Sequence, residues 1–183
     1  DYWVLYTMEA MAISPEKLDA GLVCFYLFNI VHLKEGEGIF QDAGIPHAYL
    51  RGQNVELMAC SDNVIRGGLT PKYVDIVELL KIVDCREVIP QIISAAPQNQ
   101  SEFTYKTSVK DFALAQIRVE SEQHTKVNLQ SSGIFFVMQG ELKIQEKSTA
   151  LTLKQGESAF ITADSNVEIM SEKGGYAFLA KLP

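Results

Sequence analysis

The second half of the chain is a succession of short apolar segments, separated by polar turns that often contain glycine. Strands this short, with turns at frequent intervals, favour a small closed barrel or sandwich. The fold class we expect is therefore mainly β, with a few short helices. The predicted strands of this half are Phe112–Glu120, Gly133–Met138, Glu141–Gln145, Ala150–Lys154, Ser158–Ile161, Val167–Met170 and Tyr176–Lys181.

The first half mixes helical and strand patterns. Apolar spacing predicts a short helix over Trp3–Met11 and an amphipathic helix over 75–83, and Ser14-Pro15 predicts a helical turn near 15–19. Aromatic and β-branched residues from Gly21 to Val31 predict a buried strand. Further short strands are predicted at 39–41, 47–50 and 55–60.

Two domains are expected, comprising residues 1–95 and 96–183. The best linker candidate is Ala95–Glu102, which is rich in short polar residues. The halves also share a local pattern of apolar strand, glycine turn and second strand, seen at Leu33–Phe40 and again at Leu153–Phe160. This similarity predicts an internal repeat of half a β-barrel.

Charge and cysteine content restrict the classes of partner that the chain can bind and the cellular compartment in which it is found. The 183 residues carry a net charge of −7, which is unfavourable for binding nucleic acid or an anionic membrane. A local cluster of Arg and Lys would still suit a small phosphorylated substrate. The three cysteines have no metal-like spacing and indicate reduced, buried thiols in a cytoplasmic protein.

The chain opens on the apolar run Tyr2-Trp3-Val4 without an initiator Met. A natural N-terminus is more often polar and frayed. The sequence therefore predicts a fragment, whose partner is the missing N-terminal portion of the same protein.

One segment carries a specific motif. Gly36, Asp42, Gly44 and His47 have the spacing of the second cupin motif, although that motif normally has Pro at the position of Asp42. The runs 44–50 and 56–72 resemble the signature of type I phosphomannose isomerases, with more than a dozen residues agreeing in identity and spacing. The resemblance extends, faintly beyond residue 100, over the whole chain.

This resemblance implies a fold of two double-stranded β-helix (cupin) barrels. Residues 1–95 would be the C-terminal part of the first, catalytic barrel, which is incomplete here, and 96–183 would be the second barrel. It also implies zinc-dependent isomerisation of mannose 6-phosphate and fructose 6-phosphate through an enediol. The alternative is a non-catalytic sugar-binding or regulatory cupin that retains the pocket without the metal.

The resemblance and the chemistry together assign roles to five side chains. Isomerisation needs a proton-transfer base, an electrophile and positive groups for the phosphate. We expect His47 to be a zinc ligand projecting from a strand, and Tyr49 to line the phosphorylated-hexose pocket. We expect Glu56 to transfer the proton. Arg66, as a catalytic residue, and Lys72, as a substrate-binding residue, would supply positive charge for the enediolate or the phosphate.

Structural roles remain open for the same residues. A lone His in a β segment is more often a hydrogen-bonded structural histidine. Glu56 would equally suit the exposed face of an alternating strand, Arg66 the pinning of an irregular loop, and Lys72 a solvated turn.

The remaining zinc ligands are expected outside this chain. A catalytic zinc uses about three protein ligands, and the family supplies the others through a Gln-x-His pair and a Glu upstream of this segment. No Gln-x-His occurs here, so we expect the fragment alone to be inactive. When the second half is aligned on Gly156, Thr162, Asp164 and Val167 occupy the Pro, Gly and His positions of the motif. This predicts a metal-free second barrel with an apolar interior.

Overall fold

The computed structural model describes residues 1–61, 63–97 and 99–183. Asp62, in the predicted signature, and Gln98, in the predicted linker, lie outside the described residues. The chain divides into two compact units. Unit 1 comprises Asp1–Lys34, Ile39–Glu56 and Cys60–Ile92, and unit 2 comprises Glu35–Gly38, Leu57–Ala59 and Ile93–Pro183.

Unit 1 contains the helices, and an aspartate side chain caps two of them, the 3-10 helix and α3. They are α1 (Tyr2–Ala10), a 3-10 helix (Ala20–Val23), α2 (Cys24–Leu27) and α3 (Ile76–Ile82). The Asp75 carboxylate accepts a hydrogen bond from the Glu78 backbone N–H at 3.0 Å, satisfying a donor that the first turn of α3 leaves unpaired. The predictions of α1 and α3 are confirmed to within about a residue.

The predicted buried strand from Gly21 to Val31 is wrong. The Asp19 carboxylate caps the backbone N–H of Gly21 at 2.7 Å, and the 3-10 helix and α2 follow directly. Local hydrogen bonds, such as Phe28 N–H to the Cys24 carbonyl at 2.9 Å, satisfy this backbone without a partner strand. At the predicted helical turn near 15–19, Lys17 N–H donates to the Ser14 carbonyl at 3.0 Å and closes one hydrogen-bonded turn.

The strand predictions around the motif are also largely wrong. Strand β1 (Glu37–Ile39) begins two residues before the predicted strand at 39–41 and shares only Ile39 with it; β1 pairs with β2 (Ile92–Ser94). Residues 47–50 and 55–60 form no strand. The aromatic and apolar residues that suggested half-buried strands are exposed, Tyr49 at 64% and Met58 at 49%. An extended segment becomes a strand only where a neighbouring strand pairs with it, and that is not decided locally.

The remaining strands are antiparallel and form two sheets in unit 2. The larger sheet has the order β10-β7-β12-β5-β4-β3, and the smaller has the order β6-β11-β8-β9. Their bounds are β3 Ala96–Pro97, β4 Glu102–Tyr105, β5 Ala113–Val119, β6 His124–Leu129, β7 Gly133–Gln139, β8 Glu141–Glu146, β9 Thr149–Lys154, β10 Ser158–Ile161, β11 Ser165–Met170 and β12 Gly175–Lys181. All the strands predicted from 112 to 181 are confirmed, and the fold is mainly β.

The core of unit 2 consists of side chains at alternate positions along these strands. Strand β6 was missed because only two of its three buried residues, Thr125, Val127 and Leu129, are apolar, which leaves a short and weak alternation. Strand β4 was missed because it begins inside the predicted linker. The predicted apolar interior is confirmed: the core members, which include Val167, are Ala115, Ile117, Val119, Val127, Leu129, Phe135, Val137, Leu142, Ile144, Leu153, Ile161, Val167, Ile169, Ala177 and Leu179.

Two further features concern the whole chain. Cys24, Cys60 and Cys85 are free thiols, but Cys60 and Cys85 are exposed, so the expectation of buried cysteines is wrong. Both lie in segments that are neither helix nor strand. Among the described helices, none has both the length and the apolar character needed to cross a bilayer.

Candidate functional site

The segment from Gly44 to Gly52 carries His47 and Tyr49, and contacts near both ends hold it. At its start, the Gly44 carbonyl accepts a hydrogen bond from the Asp84 backbone N–H at 2.9 Å. Gly44 has a φ of 79°, and a Cβ added there would lie 2.8 Å from the Ile82 carbonyl oxygen. Glycine is therefore required at this motif position both for its conformation and for the close approach to the end of α3.

At the other end of the segment, Arg51 is held by aromatic rings from α1. Its guanidinium carbon lies 5.9, 5.3 and 5.6 Å from the ring centres of Tyr2, Trp3 and Tyr6. Its terminal nitrogen also donates to the Tyr2 hydroxyl at 2.8 Å. These cation–π contacts anchor the backbone two residues beyond Tyr49, in place of the strand pairing that the sequence predicted.

His47 is exposed, and its ring orientation is set by the preceding backbone. Nδ1 lies 3.0 Å from the Ile45 carbonyl oxygen. A carbonyl can only accept, so Nδ1 carries a proton, and in the neutral form of the ring Nε2 then has the lone pair. Metal-binding histidines commonly have this arrangement, in which a second partner fixes the tautomer. The predicted strand at His47 is absent, and its role as a metal ligand stays a prediction.

Tyr49 and Glu56 are brought together by a direct hydrogen bond. The Tyr49 hydroxyl donates to Glu56 Oε1 at 3.0 Å, and the Tyr49 ring lies edge-on to His47 with the centroids 5.9 Å apart. Partial desolvation, followed by the hydrogen bond and negative charge of Glu56, raises the pKa of Tyr49 above its ordinary value of 10.0. At neutral pH this residue is therefore a hydrogen-bond donor that orients the carboxylate, and within the described part of the chain Oε2 has no such partner.

Arg66 and Lys72 lie on an irregular loop, and both side chains are exposed. One local and one long-range hydrogen bond shape the loop: Lys72 N–H donates to Thr70 Oγ1 at 3.2 Å, and Leu69 N–H donates to Asp19 Oδ2 at 3.3 Å. Within the described parts of the chain, neither cationic group has a hydrogen bond or ion pair. The structure thus joins His47, Tyr49 and Glu56 in one cluster, and gives no direct contact from that cluster to the two cations.

Zinc does not fit the described residues alone. In 1–61, 63–97 and 99–183, no group of three or more His, Cys, Asp or Glu side chains is arranged to hold a metal ion. A catalytic zinc uses about three protein ligands. His47 has the tautomer of a ligand, but the remaining donors are not among these residues.

The second half repeats the backbone of the motif without its histidine. Gly156 has a φ of 85° where Gly36 has 82°, and Asp164 has a φ of 58° where Gly44 has 79°. Aspartate is among the few residues that tolerate this left-handed conformation. Val167, at the position of His47, is 4% exposed and belongs to the apolar core. The absence of metal from this unit stays a prediction.

Sequence reasoning missed two residues that support the site. Asp19 could have been found, because an aspartate just before Ala20-Gly21 is a capping signal. Arg51 could not, since its partners Tyr2, Trp3 and Tyr6 lie more than forty positions away and were recognisable only once α1 was in place.

Comparison with known proteins identifies relatives of both units. Residues 101–173 match the family model "Mannose-6-phosphate isomerase, cupin domain". The chain is 41% identical over 150 residues to the mannose-6-phosphate isomerase of Escherichia coli K12, a match covering 81% of this chain and 38% of that protein. The chain therefore spans little more than a third of the length of this relative.

Solved structures of phosphomannose isomerase from Salmonella typhimurium have the same fold. A lysine-to-alanine variant superposes with a TM-score of 0.80 at 34% identity, covering 98% of this chain and 45% of that chain. The form bound to fructose 6-phosphate and zinc gives a TM-score of 0.75 at 32% identity, with 98% and 49% covered. The fold is accordingly that of cupin proteins. On its sequence, its signature segment and its structure, the chain belongs to the phosphomannose isomerase family.

Proposed function

We propose that this chain is part of a mannose-6-phosphate isomerase, which interconverts mannose 6-phosphate and fructose 6-phosphate through an enediol. The observation that carries the proposal is the hydrogen-bonded Tyr49–Glu56 pair beside His47, inside the signature segment. The names of the relatives support the same activity.

The pair suits a proton transfer between neighbouring carbons. Glu56 is exposed, and its Oε1 is already engaged by the Tyr49 hydroxyl at 3.0 Å. The free Oε2 would take the proton from one carbon and return it to the next. Tyr49, which remains protonated, keeps the carboxylate in one orientation during both steps and lines the sugar site.

The two cations would serve the negative charges of the substrate. We assign Arg66 to the oxyanion of the enediolate, because its planar guanidinium donates several hydrogen bonds with fixed geometry. We assign Lys72 to the phosphate, as a compact charge on a flexible stem.

We propose that His47 contributes one ligand to a zinc ion whose other ligands lie outside the described residues. The Salmonella relative has been solved with zinc bound. When bound, zinc would supply Lewis-acid polarisation of the substrate oxygens. The role of this chain is then to present Nε2 of His47 with the correct tautomer.

The other assignments follow from this function. We propose that residues 1–95 belong to the catalytic cupin domain and that 96–183 form a second cupin domain with a structural role. The partners of the chain would be the phosphorylated hexose and the N-terminal portion that completes the first domain. We place the activity in the cytoplasm and expect no nucleic-acid or membrane partner.

The test uses the longer form, meaning this chain joined to the N-terminal portion that its relatives possess. We expect zinc-dependent production of fructose 6-phosphate from mannose 6-phosphate, measured by a coupled assay. The matched control is Glu56→Gln, which retains the hydrogen bond from Tyr49 but removes the base, and should abolish turnover. Binding of fructose 6-phosphate without turnover by the unmutated protein would favour the non-catalytic alternative.

A further inference from the structure

The loop that carries Arg66 and Lys72 has an unusual backbone at its centre. Gly68 has a φ of 150° and Leu69 has a φ of 46°. A left-handed conformation is uncommon for leucine and costs energy, so it persists only where surrounding contacts hold it. The contacts of Leu69 therefore determine where the two flanking cations lie.

Two contacts hold Leu69, and both come from the start of the 3-10 helix. The Asp19 carboxylate accepts from Leu69 N–H through Oδ2 at 3.3 Å, while its Oδ1 accepts from Gly21 N–H at 2.7 Å. Leu69 also lies against Gly21, where an added Cβ would come within 2.9 Å of the leucine Cγ. A single half-buried carboxylate thus ties the helix start to the middle of the loop.

We propose that Asp19 is a positioning residue for Arg66 and Lys72. These lie three residues before and three residues after Leu69, so the bond to Asp19 holds both arms of the loop. The inference rests on the proposed function, in which the two cations bind the anionic groups of the substrate. Asp19 itself does not touch the substrate.

The chemistry of Asp19 separates this role from simple helix capping. Asparagine caps a helix about as well as aspartate, through the same Oδ1. Its second polar group is an amide NH₂, which cannot accept a hydrogen bond from Leu69 N–H. Asp19→Asn should therefore preserve the helix and release the loop, whereas Asp19→Ala removes both contacts.

The experiment measures steady-state kinetics and thermal midpoints of the longer form, with mannose 6-phosphate as substrate. We expect Asp19→Asn and Asp19→Ala each to lower kcat/KM by about tenfold or more, with KM raised and kcat reduced, since small misplacements of charged groups are costly. Only Asp19→Ala should lower the thermal midpoint clearly. The matched control is Asp75→Asn, at the capping residue of α3, which should retain normal kinetics.

Two further variants make the proposal falsifiable. Gly21→Ala keeps Asp19 but would place a Cβ 2.9 Å from Leu69 Cγ and 3.0 Å from Asp19 Oδ1, so it disturbs the same contact from the helix side. It should raise KM and reduce kcat, as Asp19→Asn does. In an Arg66→Ala background, the loss of kcat/KM caused by Asp19→Asn should be smaller. The reason is that Asp19 acts partly by positioning Arg66, which is then absent.

The outcomes separate this inference from the proposed function. Absence of turnover in the unmutated longer form would overturn the proposed function and with it this inference. Normal kinetics of Asp19→Asn in an active enzyme, or an undiminished effect in the Arg66→Ala background, would overturn the role of Asp19 alone.

Discussion

At the scale of single residues, the site depends on side chains whose orientation is set by short-range contacts. His47 is oriented by the Ile45 carbonyl oxygen at 3.0 Å, and Glu56 by the Tyr49 hydroxyl at the same distance. Both contacts are made by exposed side chains, so each is worth little as a stabilising interaction. Their consequence is functional: they select a tautomer and a carboxylate orientation. Substitutions here should change chemistry more than folding.

The first residue-scale prediction concerns the metal. In the longer form, His47→Ala should release most of the zinc and abolish turnover while leaving the fold intact, because the ring is exposed and contacts little. Zinc stoichiometry by elemental analysis is the measurement, with His32→Ala, another exposed histidine, as control. One tight zinc with near-normal activity in His47→Ala would show that His47 is not a ligand.

The second concerns the cations. Arg66→Ala should depress kcat/KM of the longer form by at least ~100-fold, roughly 2.7 kcal/mol of transition-state stabilisation, whereas Lys72→Ala should mainly raise KM. Lys81→Ala, which removes an exposed lysine that pairs with Glu78 on α3, is the control and should have normal kinetics. If Arg66→Ala or Lys72→Ala lost activity only through a lowered thermal midpoint, the loop-pinning role would be correct.

At the scale of elements, the turns that precede the motifs are held by contacts the motifs do not reveal. In unit 2, the Tyr105 hydroxyl at the end of β4 donates to the Gly36 carbonyl at 2.9 Å, and so joins the first glycine turn to the large sheet. Burial raises the pKa of Tyr105 above its ordinary value of 10.0, against the opposing effect of the Arg118 charge. This hydroxyl is a donor only while it is protonated.

The resulting prediction is an alkaline destabilisation that depends on Tyr105. Because its pKa is higher in the folded state, the contribution of this group is complete below about pH 10 and is lost as pH rises through the raised value. Tyr105→Phe should cost about 1 kcal/mol at neutral pH and flatten this alkaline decline. Denaturant unfolding at pH 7 and above pH 10 measures both effects.

The control for this prediction is Tyr73→Phe, at a tyrosine that is 83% exposed. It should leave both the neutral stability and the alkaline decline as they are. An equal alkaline decline in Tyr105→Phe and the unmutated protein would contradict the assignment to Tyr105.

At the scale of the whole molecule, the two units differ in how well they cover their apolar residues. Unit 2 encloses a core between its two sheets. Unit 1 leaves large apolar side chains in solvent, and on α3 alone Ile76, Val77 and Leu80 are 63%, 66% and 71% exposed. The sequence correctly predicted α3 as an amphipathic helix, but its apolar face is not covered by the described residues.

The whole-molecule prediction is that this chain, purified alone, has no isomerase activity at any zinc concentration. The reason is that the described residues offer His47 as a candidate ligand but no group of three donors. The measurement is a coupled assay of fructose 6-phosphate formation, with the longer form as positive control. Zinc-dependent turnover by this chain alone would contradict it.

The sequence by itself determined the features that depend on near neighbours. Strands β5 and β7 to β12 follow from apolar alternation and glycine turns, α3 from Asp75 and its spacing, and the matching turns at Gly36 and Gly156 from one shared pattern. His47, Tyr49 and Glu56 became candidates through the resemblance of 44–50 and 56–72 to a family signature and through the chemistry that isomerisation needs.

Only the tertiary structure decided the features that need a distant partner. The segment around His47 is not a strand, because no strand pairs with it among the described residues. The bond of Asp19 to Leu69 joins residues fifty positions apart, and Arg51 finds its aromatic rings at a similar separation. Propensity and periodicity are sums over neighbours along the chain, whereas pairing and anchoring depend on which segments the fold brings together.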